Sequence, residues 1–186
     1  MALLRRLLPG GCAAALAACL VAGPVRAEQR TATAEDDIKS AFLYNFTKFV
    51  EWPPASASEP FRVCVVAEPA FGAAVDRTIA GESAGGRPLL RVTPATPEAA
   101  RACQILFLGR MENDRVEHWI AAVRDAPVLV VGESRAAWDH GAHITFVLDD
   151  NRVRFDVNAD AAARAGLSVS SKLLRVARNV TARRSA

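Results

Sequence analysis

Apolar positions along the chain recur with two different periods, and these periods predict the secondary structure. Four short apolar runs predict strands, and the first is continuous in the way typical of a strand buried on both faces. They are FRVCVVA (61–67), PLLRV (88–92), QILFLG (104–109) and PVLVVG (127–132). Helical spacing predicts helices between them, near 70–80 and over 112–124. This alternation favours an α/β fold with a mixed, mostly parallel sheet flanked by helices.

A further helix is predicted before the first strand. Its inward positions recur at helical spacing and are Ile38, Phe42, Phe46, Phe49 and Val50. The segment Trp52-Pro53-Pro54 ends this helix, because a proline disfavours helical geometry at the residue before it.

The last third of the chain has a different pattern, which predicts a C-terminal β-hairpin and two short helices. Residues 143–158 read as two strands around a turn at Asp149–Asn151, a segment rich in turn-forming residues. In the second strand, apolar and charged residues alternate from Arg152 to Val157, which is typical of an antiparallel edge strand with one solvated face. Asn158 is predicted to cap a short helix that ends at Gly166, and Ser170 or Ser171 to cap a final helix through residue 180.

The N-terminal residues have the pattern of an export signal. Arg5 and Arg6 precede an apolar segment, and small residues before Glu28 suit cleavage after Ala27. An alternative is a lipobox ending at Cys19, which would leave that cysteine lipidated. The sequence therefore predicts a signal peptide over 1–27, a linker over 28–34 and a single domain over 35–186. It predicts a periplasmic protein, with lipid anchoring through Cys19 as the alternative.

Net charge argues against a nucleic-acid partner. The whole chain has 23 basic and 20 acidic residues. Three of the basic residues lie in the predicted signal peptide, which leaves 23 − 3 = 20 basic residues and a net charge of zero. A nucleic-acid-binding domain is expected to carry a basic footprint.

Two cysteines remain after the predicted signal peptide, namely Cys64 and Cys103. In an oxidising compartment an even number of cysteines favours a disulfide, and two buried free thiols are the alternative. A bridge would close a loop of 103 − 64 = 39 residues. The chain-entropy model gives such a loop about 4 kcal/mol of stabilisation.

Candidate catalytic residues lack the structural context that catalysis requires. The segment GESAG (81–85) matches a nucleophile elbow with Ser83 as nucleophile, and Asp139 and His143 follow in the order of a hydrolase triad. However, Ser83 falls in a loop between a helix and a strand, rather than on the required turn from strand to helix. His140 and His143 have no further ligand at a matching spacing, and Asp149–Asp150 suits a turn. The sequence predicts no enzyme activity, no metal and no cofactor.

Three blocks of the sequence resemble a known family. IKSAFLYNFTKFVEWP (38–53), GAHITFVLDDNRVRFDVN (141–158) and AGLSVSSKLLRVAR (165–178) are similar, in this order, to the signature blocks of the YfiR family of periplasmic proteins. The resemblance covers essentially the whole predicted mature chain. Cys64 and Cys103 match one cysteine pair of the family prototype. The prototype's second, late pair has no counterpart here, so the resemblance does not extend to redox sensing through that pair.

The resemblance implies a regulatory function. YfiR-like proteins bind the periplasmic sensory domain of a membrane-bound diguanylate cyclase and repress it, which lowers cyclic di-GMP and biofilm formation. The prototype is a dimer, so a homodimer is expected. The hairpin and the last helix provide a hypothetical contact surface for the partner, and its candidate residues are Phe146, Arg154, Phe155, Ser171 and Lys172. For Phe146 and Phe155, packing in the core is the alternative.

Two other functions remain open at this stage. One is a small-ligand binding module that uses an aromatic pocket near Trp52 or Trp138 and acts on another membrane sensor or transporter. The other is an enzyme based on Ser83, which a fluorophosphonate probe would label.

Overall fold

The computed structural model describes residues 25–54 and 59–182. The predicted signal-peptide core and the alternative lipidation site Cys19 lie outside these residues. The helices are α1 (Val25–Phe49), α2 (Pro69–Ile79), a 3-10 helix (Glu98–Ala102), α3 (Asn113–Val123), α4 (Arg135–Asp139), α5 (Ala159–Arg164) and α6 (Ser171–Val176). The strands are β1 (Val50–Glu51), β2 (Phe61–Val66), β3 (Ser83–Ala84), β4 (Arg87–Val92), β5 (Ile105–Leu108), β6 (Leu129–Gly132), β7 (Ile144–Asp149), β8 (Arg152–Asn158), β9 (Ser168–Val169) and β10 (Asn179–Thr181).

Eight of these strands form one mixed sheet, in the order β10-β8-β7-β6-β5-β2-β4-β3. The five central strands, β4, β2, β5, β6 and β7, are parallel. β8 pairs antiparallel with β7, β10 lies parallel to β8, and β3 pairs antiparallel with β4. β1 and β9 form a separate two-stranded sheet. The predicted fold class, a mostly parallel α/β sheet with a C-terminal hairpin, is confirmed.

The three strands in the middle of the sheet, β2, β5 and β6, are largely buried on both faces. Alternate residues of β5 point to opposite faces. Phe107 joins a cluster that includes Phe46 of α1 and Val75 of α2, whereas Leu106 joins a second cluster that includes Val116 of α3. The sheet therefore separates two hydrophobic cores, one under α1 and α2 and the other under α3.

Helix α1 departs from the sequence prediction in two ways. It is helical through residues 28–34, where a linker was predicted. Ile38, predicted to face inward, is 48% exposed, while Lys39 beside it is only 5% exposed. Leu43, Phe46 and Val50 continue the buried stripe from Lys39 at helical spacing. Hydrophobic periodicity failed here because a charged residue takes the inward position, where two carboxylates pair with it.

The hairpin and its flanking caps follow the prediction. Asp150 and Asn151 form the turn with positive φ angles of 47° and 58°, as expected for the turn type that matches strand twist. The side chain of Asn158 accepts a hydrogen bond from the backbone N–H of Ala161, 3.0 Å away, and caps α5. Gly166 follows the end of α5 with φ 75°, in the left-handed conformation that glycine favours after a helix.

The C-terminal segment differs from the prediction. Ser170 caps the last helix, but this helix ends at Val176 instead of continuing to residue 180. The chain then forms β10, which pairs with the outer edge of β8 at residues 156–158. β8 was therefore wrongly predicted as an edge strand, because a short polar strand such as Asn179–Thr181 carries no apolar signal of its own.

Cys64 and Cys103 form a disulfide with a Cα–Cα separation of 5.9 Å, which confirms the predicted pairing. Cys64 lies in the middle of β2 and Cys103 two residues before β5, and the two strands are neighbours. Both cysteines are buried in the core under α3. The bridge therefore pins the segment that contains α2, β3 and β4 to the centre of the sheet.

Candidate functional site

A cleft of about 390 Å³ lies at the carboxyl ends of β5 and β6. Open α/β sheets bind ligands at this edge, because the loops that follow the strands diverge there. The lining residues come from α1, from the loops after β5 and β6, from α4, from the C-terminal hairpin and from the segment between α6 and β10. They are Glu35, Lys39, Arg110, Glu133, Ser134, Arg135, Trp138, Thr145, Phe146, Val147, Leu148, Asp156 and Arg178.

A buried ion triad forms one wall of the cleft. Lys39 on α1 pairs with Glu35 one turn earlier and with Glu133, which directly follows β6. Glu133 also accepts a hydrogen bond from the backbone N–H of Arg110 at 3.1 Å, and so links the ends of β5 and β6. Burial acts to lower the pKa of Lys39, but hydrogen bonds to Glu133 and Glu35 outweigh it and raise this pKa above its usual value. Lys39 is therefore held as a cation that ties α1 to the sheet.

The acidic side of this triad extends along α1. Burial raises the pKa of Asp36 above its usual value, and the nearby carboxylates of Glu133, Glu35 and Asp37 act in the same direction, while Lys39 opposes them. Asp37 is paired instead with Arg77 of α2, with an N–O distance of 2.8 Å. The local charge around Lys39 is thus carried by more carboxylates than cations.

A second charged group lies on the hairpin side of the cleft. Asp156 of β8 accepts two hydrogen bonds from the guanidinium of Arg178, at 2.9 and 2.6 Å, and a third from the side chain of Asn179 at 3.2 Å. The hydrogen bonds from Arg178 lower the pKa of Asp156 below its usual value. This bidentate pair fixes the start of β10 against β8. Asp156 was predicted to lie on a solvated face, but it is 9% exposed, because Arg178 and Asn179 cover it.

Thr145 is the polar side chain of the cleft that the described part of the chain leaves unsatisfied. It is 4% exposed, and its hydroxyl makes no hydrogen bond to any described residue. Buried hydroxyls are normally paired, because an unpaired one costs about 1–3 kcal/mol. Thr145 therefore marks the inner end of the cleft as a position where a polar group of a bound molecule can be accepted.

The sequence analysis did not identify the charged and polar residues of the cleft, Lys39, Glu133, Thr145 and Asp156, as members of a site. Two signals were available: Lys39 interrupts an apolar stripe at the inward position, and Glu133 directly follows a buried strand. Thr145 and Asp156 gave no usable signal, since both fit the alternating polar positions of an ordinary hairpin.

The structure does not bring the candidate hydrolase residues together. Ser83 lies on β3 at one edge of the sheet, and His143 directly precedes β7, with four strands between β3 and β7. At a spacing of about 4.8 Å between strands, they are about 24 Å apart. Asp139 pairs with Arg135. The described residues form no triad around Ser83.

The histidines are explained by local structure. His143 is 7% exposed, and its Nδ1 accepts a hydrogen bond from the backbone N–H of Val130 at 3.0 Å. Burial, followed by the charge of Arg164, lowers the pKa of His143 to about 4, so the ring is neutral at physiological pH. Within residues 25–54 and 59–182, no group of three or more metal-ligating side chains converges.

The hypothetical partner-contact residues do not form one surface. Phe146 and Phe155 are 3% and 2% exposed, in the core under α1, and in this conformation they are not available to a partner. Arg154, Ser171 and Lys172 are exposed. Arg154 projects from the face of β8 opposite to Phe155, while α6 packs on the Phe155 face through Leu173. The core alternative therefore describes the two phenylalanines, and the three exposed residues are divided between two faces.

The two tryptophans proposed for a ligand pocket have different environments. Trp52 donates a hydrogen bond from Nε1 to the carbonyl oxygen of Gln104 at 2.9 Å and packs edge-on against Phe61 at 5.0 Å. Trp52 therefore packs against the core under α1. Trp138 of α4 lines the cleft, so this tryptophan is the one in a position to contact a ligand.

Comparisons with known proteins agree with this architecture. The model of a family described as YfiR/HmsC-like matches residues 36–178. The fold is similar to the crystal structure of a conserved domain protein from Vibrio cholerae O1 biovar El Tor, with a TM-score of 0.55 at 14% sequence identity. That match covers 78% of this chain, and the chain spans 60% of the length of the Vibrio protein. None of the helices in the described part of the chain is long and apolar enough to cross a membrane.

Proposed function

Because the chain belongs to the YfiR/HmsC-like family, we propose that it is a periplasmic regulator that binds and represses the periplasmic sensory domain of an inner-membrane diguanylate cyclase. The observation that carries this proposal is the extent of the family match, which runs from the buried part of α1 to the Arg178 that pairs with Asp156. Repression lowers cyclic di-GMP and biofilm formation. The fold supports this function through its surfaces and not through a reactive side chain, since the candidate triad does not converge.

The mechanism is a shift in the receptor's conformational equilibrium. A repressor acts only if it binds the inactive state of the cyclase's sensory domain more tightly than the active state. By linkage, any signal that removes or destabilises the repressor returns the cyclase to activity. Reduction of Cys64–Cys103 is one such signal, because it removes the covalent constraint on β2 and β5.

A direct experiment combines binding with a measurement in cells. The purified chain without residues 1–27 is titrated against the periplasmic domains of the membrane-bound diguanylate cyclases of the same organism, and cyclic di-GMP is measured in cells with and without the gene for this chain. We expect saturable binding and a rise in cyclic di-GMP on deletion. Binding without any change in cyclic di-GMP, or no binding, contradicts the proposal. The proposal also includes a homodimer, which sedimentation velocity tests.

The cleft supports a second candidate function, a small-ligand binding module that acts on another membrane sensor or transporter. Trp138 and the unpaired hydroxyl of Thr145 lie in a volume within the usual range for ligand pockets, about 300–1,000 Å³. A thermal-shift screen of periplasmic metabolites separates the two functions. A metabolite that raises the melting temperature of the wild type but not of Thr145→Val favours the ligand-binding module.

A further inference from the structure

Strand β7 has one edge that is only partly covered. β6 pairs with β7 at two positions, where Val131 lies opposite Ile144 and Gly132 opposite Thr145. β7 then continues four residues beyond β6, to Asp149. On its other side it is paired with β8 along its whole length. The described residues therefore provide no strand next to positions 146–149 on the β6 side, and this open edge lies in the cleft.

The register determines which backbone groups point into the cleft. In a two-residue hairpin the residues that flank the turn exchange hydrogen bonds, and the pattern alternates along the strands. Asp149 and Val147 thus bond to β8, whereas Phe146 and Leu148 face the opposite edge. The same alternation predicts that Phe155 faces away from β7, and its carbonyl does accept a hydrogen bond from the backbone N–H of Arg178 at 2.8 Å. The carbonyl of Phe146 and both backbone groups of Leu148 therefore lie beyond the end of β6 and face the cleft.

The open edge is anchored in the core at Phe146 and exposed to solvent at Leu148. The Phe146 ring is 3% exposed and packs against the rings of Phe46 and Phe107, with centroids 6.0 and 6.3 Å away. Leu148 is 51% exposed. Because one side chain anchors the strand in the core and the next reaches solvent, the edge keeps its extended geometry without a neighbour. At its inner end lies Thr145, buried with an unpaired hydroxyl.

The charges that line the cleft indicate the chemistry of an occupant. Three of the four lining cations are neutralised in the structure: Lys39 by Glu35 and Glu133, Arg178 by Asp156, and Arg135 by Asp139. Arg110 is exposed, and its side chain makes no ion pair with any residue in the described ranges. Although carboxylates outnumber cations around Lys39, Arg110 is the lining cation of the described cleft that is left to pair with a carboxylate of an occupant.

We propose that an extended, acidic peptide segment of the receptor adds to β7 beside Phe146 and Leu148, in the position that β6 leaves open. An extended backbone supplies donors and acceptors at the spacing of the strand edge, which gives affinity independent of side chains. A carboxylate of the segment pairs with Arg110, and a polar group reaches Thr145. This inference rests on the proposed function only for the origin of the segment.

A proline scan with a matched control tests the open edge. Leu148→Pro removes the N–H that faces the cleft and leaves the bonds to β8 intact. Val153, opposite Leu148, has its N–H on the outer edge of the same hairpin, so Val153→Pro is the control. We expect Leu148→Pro to weaken binding of the receptor's periplasmic domain by about tenfold or more and Val153→Pro to change it less than about twofold. Arg110→Glu should also weaken binding.

Hydrogen exchange of the wild type gives a result that does not depend on whether a variant folds. The Leu148 amide is expected to exchange rapidly in the free protein and to be protected in the complex. Binding that is unaffected by Leu148→Pro, together with an unprotected Leu148 amide in the complex, overturns the inference while leaving the proposed function intact.

Selection from a library of short displayed peptides tests the edge without the receptor. We expect the wild type to select acidic peptides whose binding is lost in Leu148→Pro and kept in Val153→Pro. If no selected peptide depends on Leu148, the inference is wrong whether or not the receptor binds. If instead Leu148→Pro dissociates a dimer of this chain in sedimentation velocity, the edge joins two copies, and the peptide proposal is also wrong.

Discussion

Replacement of Lys39 by methionine is the sharpest test of the buried triad. Methionine keeps most of the apolar stem of lysine, so the change removes the charge with little loss of packing. The side chains of Lys39, Glu133 and Glu35 are 6%, 15% and 24% exposed. Removing one partner of a buried pair costs about 3–5 kcal/mol, because the remaining charge is left uncompensated. Since Glu35 reaches water in part, we expect a loss of about 3 kcal/mol in the free energy of unfolding.

The matched control is an exposed ion pair between α2 and the same helix α1. Arg77 pairs with Asp37 of α1, but these side chains are 59% and 55% exposed. Exposed pairs contribute about 0–1 kcal/mol, so Arg77→Met should have at most this effect. Urea unfolding followed by circular dichroism gives both values. A loss for Lys39→Met that equals the loss for Arg77→Met would refute the conclusion that the triad ties α1 to the sheet.

The pH dependence of the difference in unfolding free energy between wild type and Lys39→Met provides a second check. Although burial acts to lower it, the folded-state pKa of Lys39 is raised above its usual value of about 10.5 by hydrogen bonds to Glu133 and Glu35, which outweigh this effect. Its contribution is therefore complete below pH 10.5 and is lost only as the pH rises through the raised pKa. The difference between wild type and Lys39→Met should be the same at neutral pH and at mildly alkaline pH. A difference that disappears between neutral and mildly alkaline pH would contradict the raised pKa of Lys39.

Three further predictions follow from the core, the disulfide and the hairpin. Replacing both Cys64 and Cys103 by alanine should cost about 2–4 kcal/mol, and reductant should lower the stability of the wild type but not of this variant; an equal response of both proteins would show that the bridge is not the cause. Phe155→Ala should cost about 3–5 kcal/mol and Arg154→Ala less than about 0.5 kcal/mol in the same unfolding assay, and similar values for the two would place Phe155 outside the core. The pKa of Asp156 is lowered from 3.8, so the stabilisation by this carboxylate is present above pH 3.8 and is lost as the pH falls through the lowered pKa. Asp156→Asn should therefore flatten the dependence of the free energy of unfolding on pH in that acidic range. An unchanged pH dependence would contradict the pairing with Arg178.

The sequence contained enough information to predict the central fold. The four runs at residues 61–67, 88–92, 104–109 and 127–132 contain four of the five parallel strands, and they were recognisable because strands in the middle of such a sheet are rich in apolar residues. The hairpin was equally clear, since Asp150 and Asn151 tolerate the positive φ angles that its turn requires. Each of these predictions rests on a short stretch of sequence, and the structure contains the predicted strands and turn at these positions.

The site was less predictable, because its residues are brought together by tertiary structure. Lys39 and Glu133 are 94 positions apart in the chain, and no sequence pattern around either residue identifies the other as its partner. β10 pairs with β8 through Asn179 and Thr181, whose polar side chains gave no strand signal. The predicted contact surface divided between two faces for the same reason: adjacent residues such as Arg154 and Phe155 point to opposite sides of a strand.

The bridge between Cys64 and Cys103 also affects how the protein survives cleavage. The chain between these cysteines includes the exposed glycine-rich turn at Gly85 and Gly86, the kind of tip that proteases cut. A cut there would leave both fragments covalently joined and aligned along the sheet. Such a nicked molecule would migrate as one species until reductant separates its two fragments.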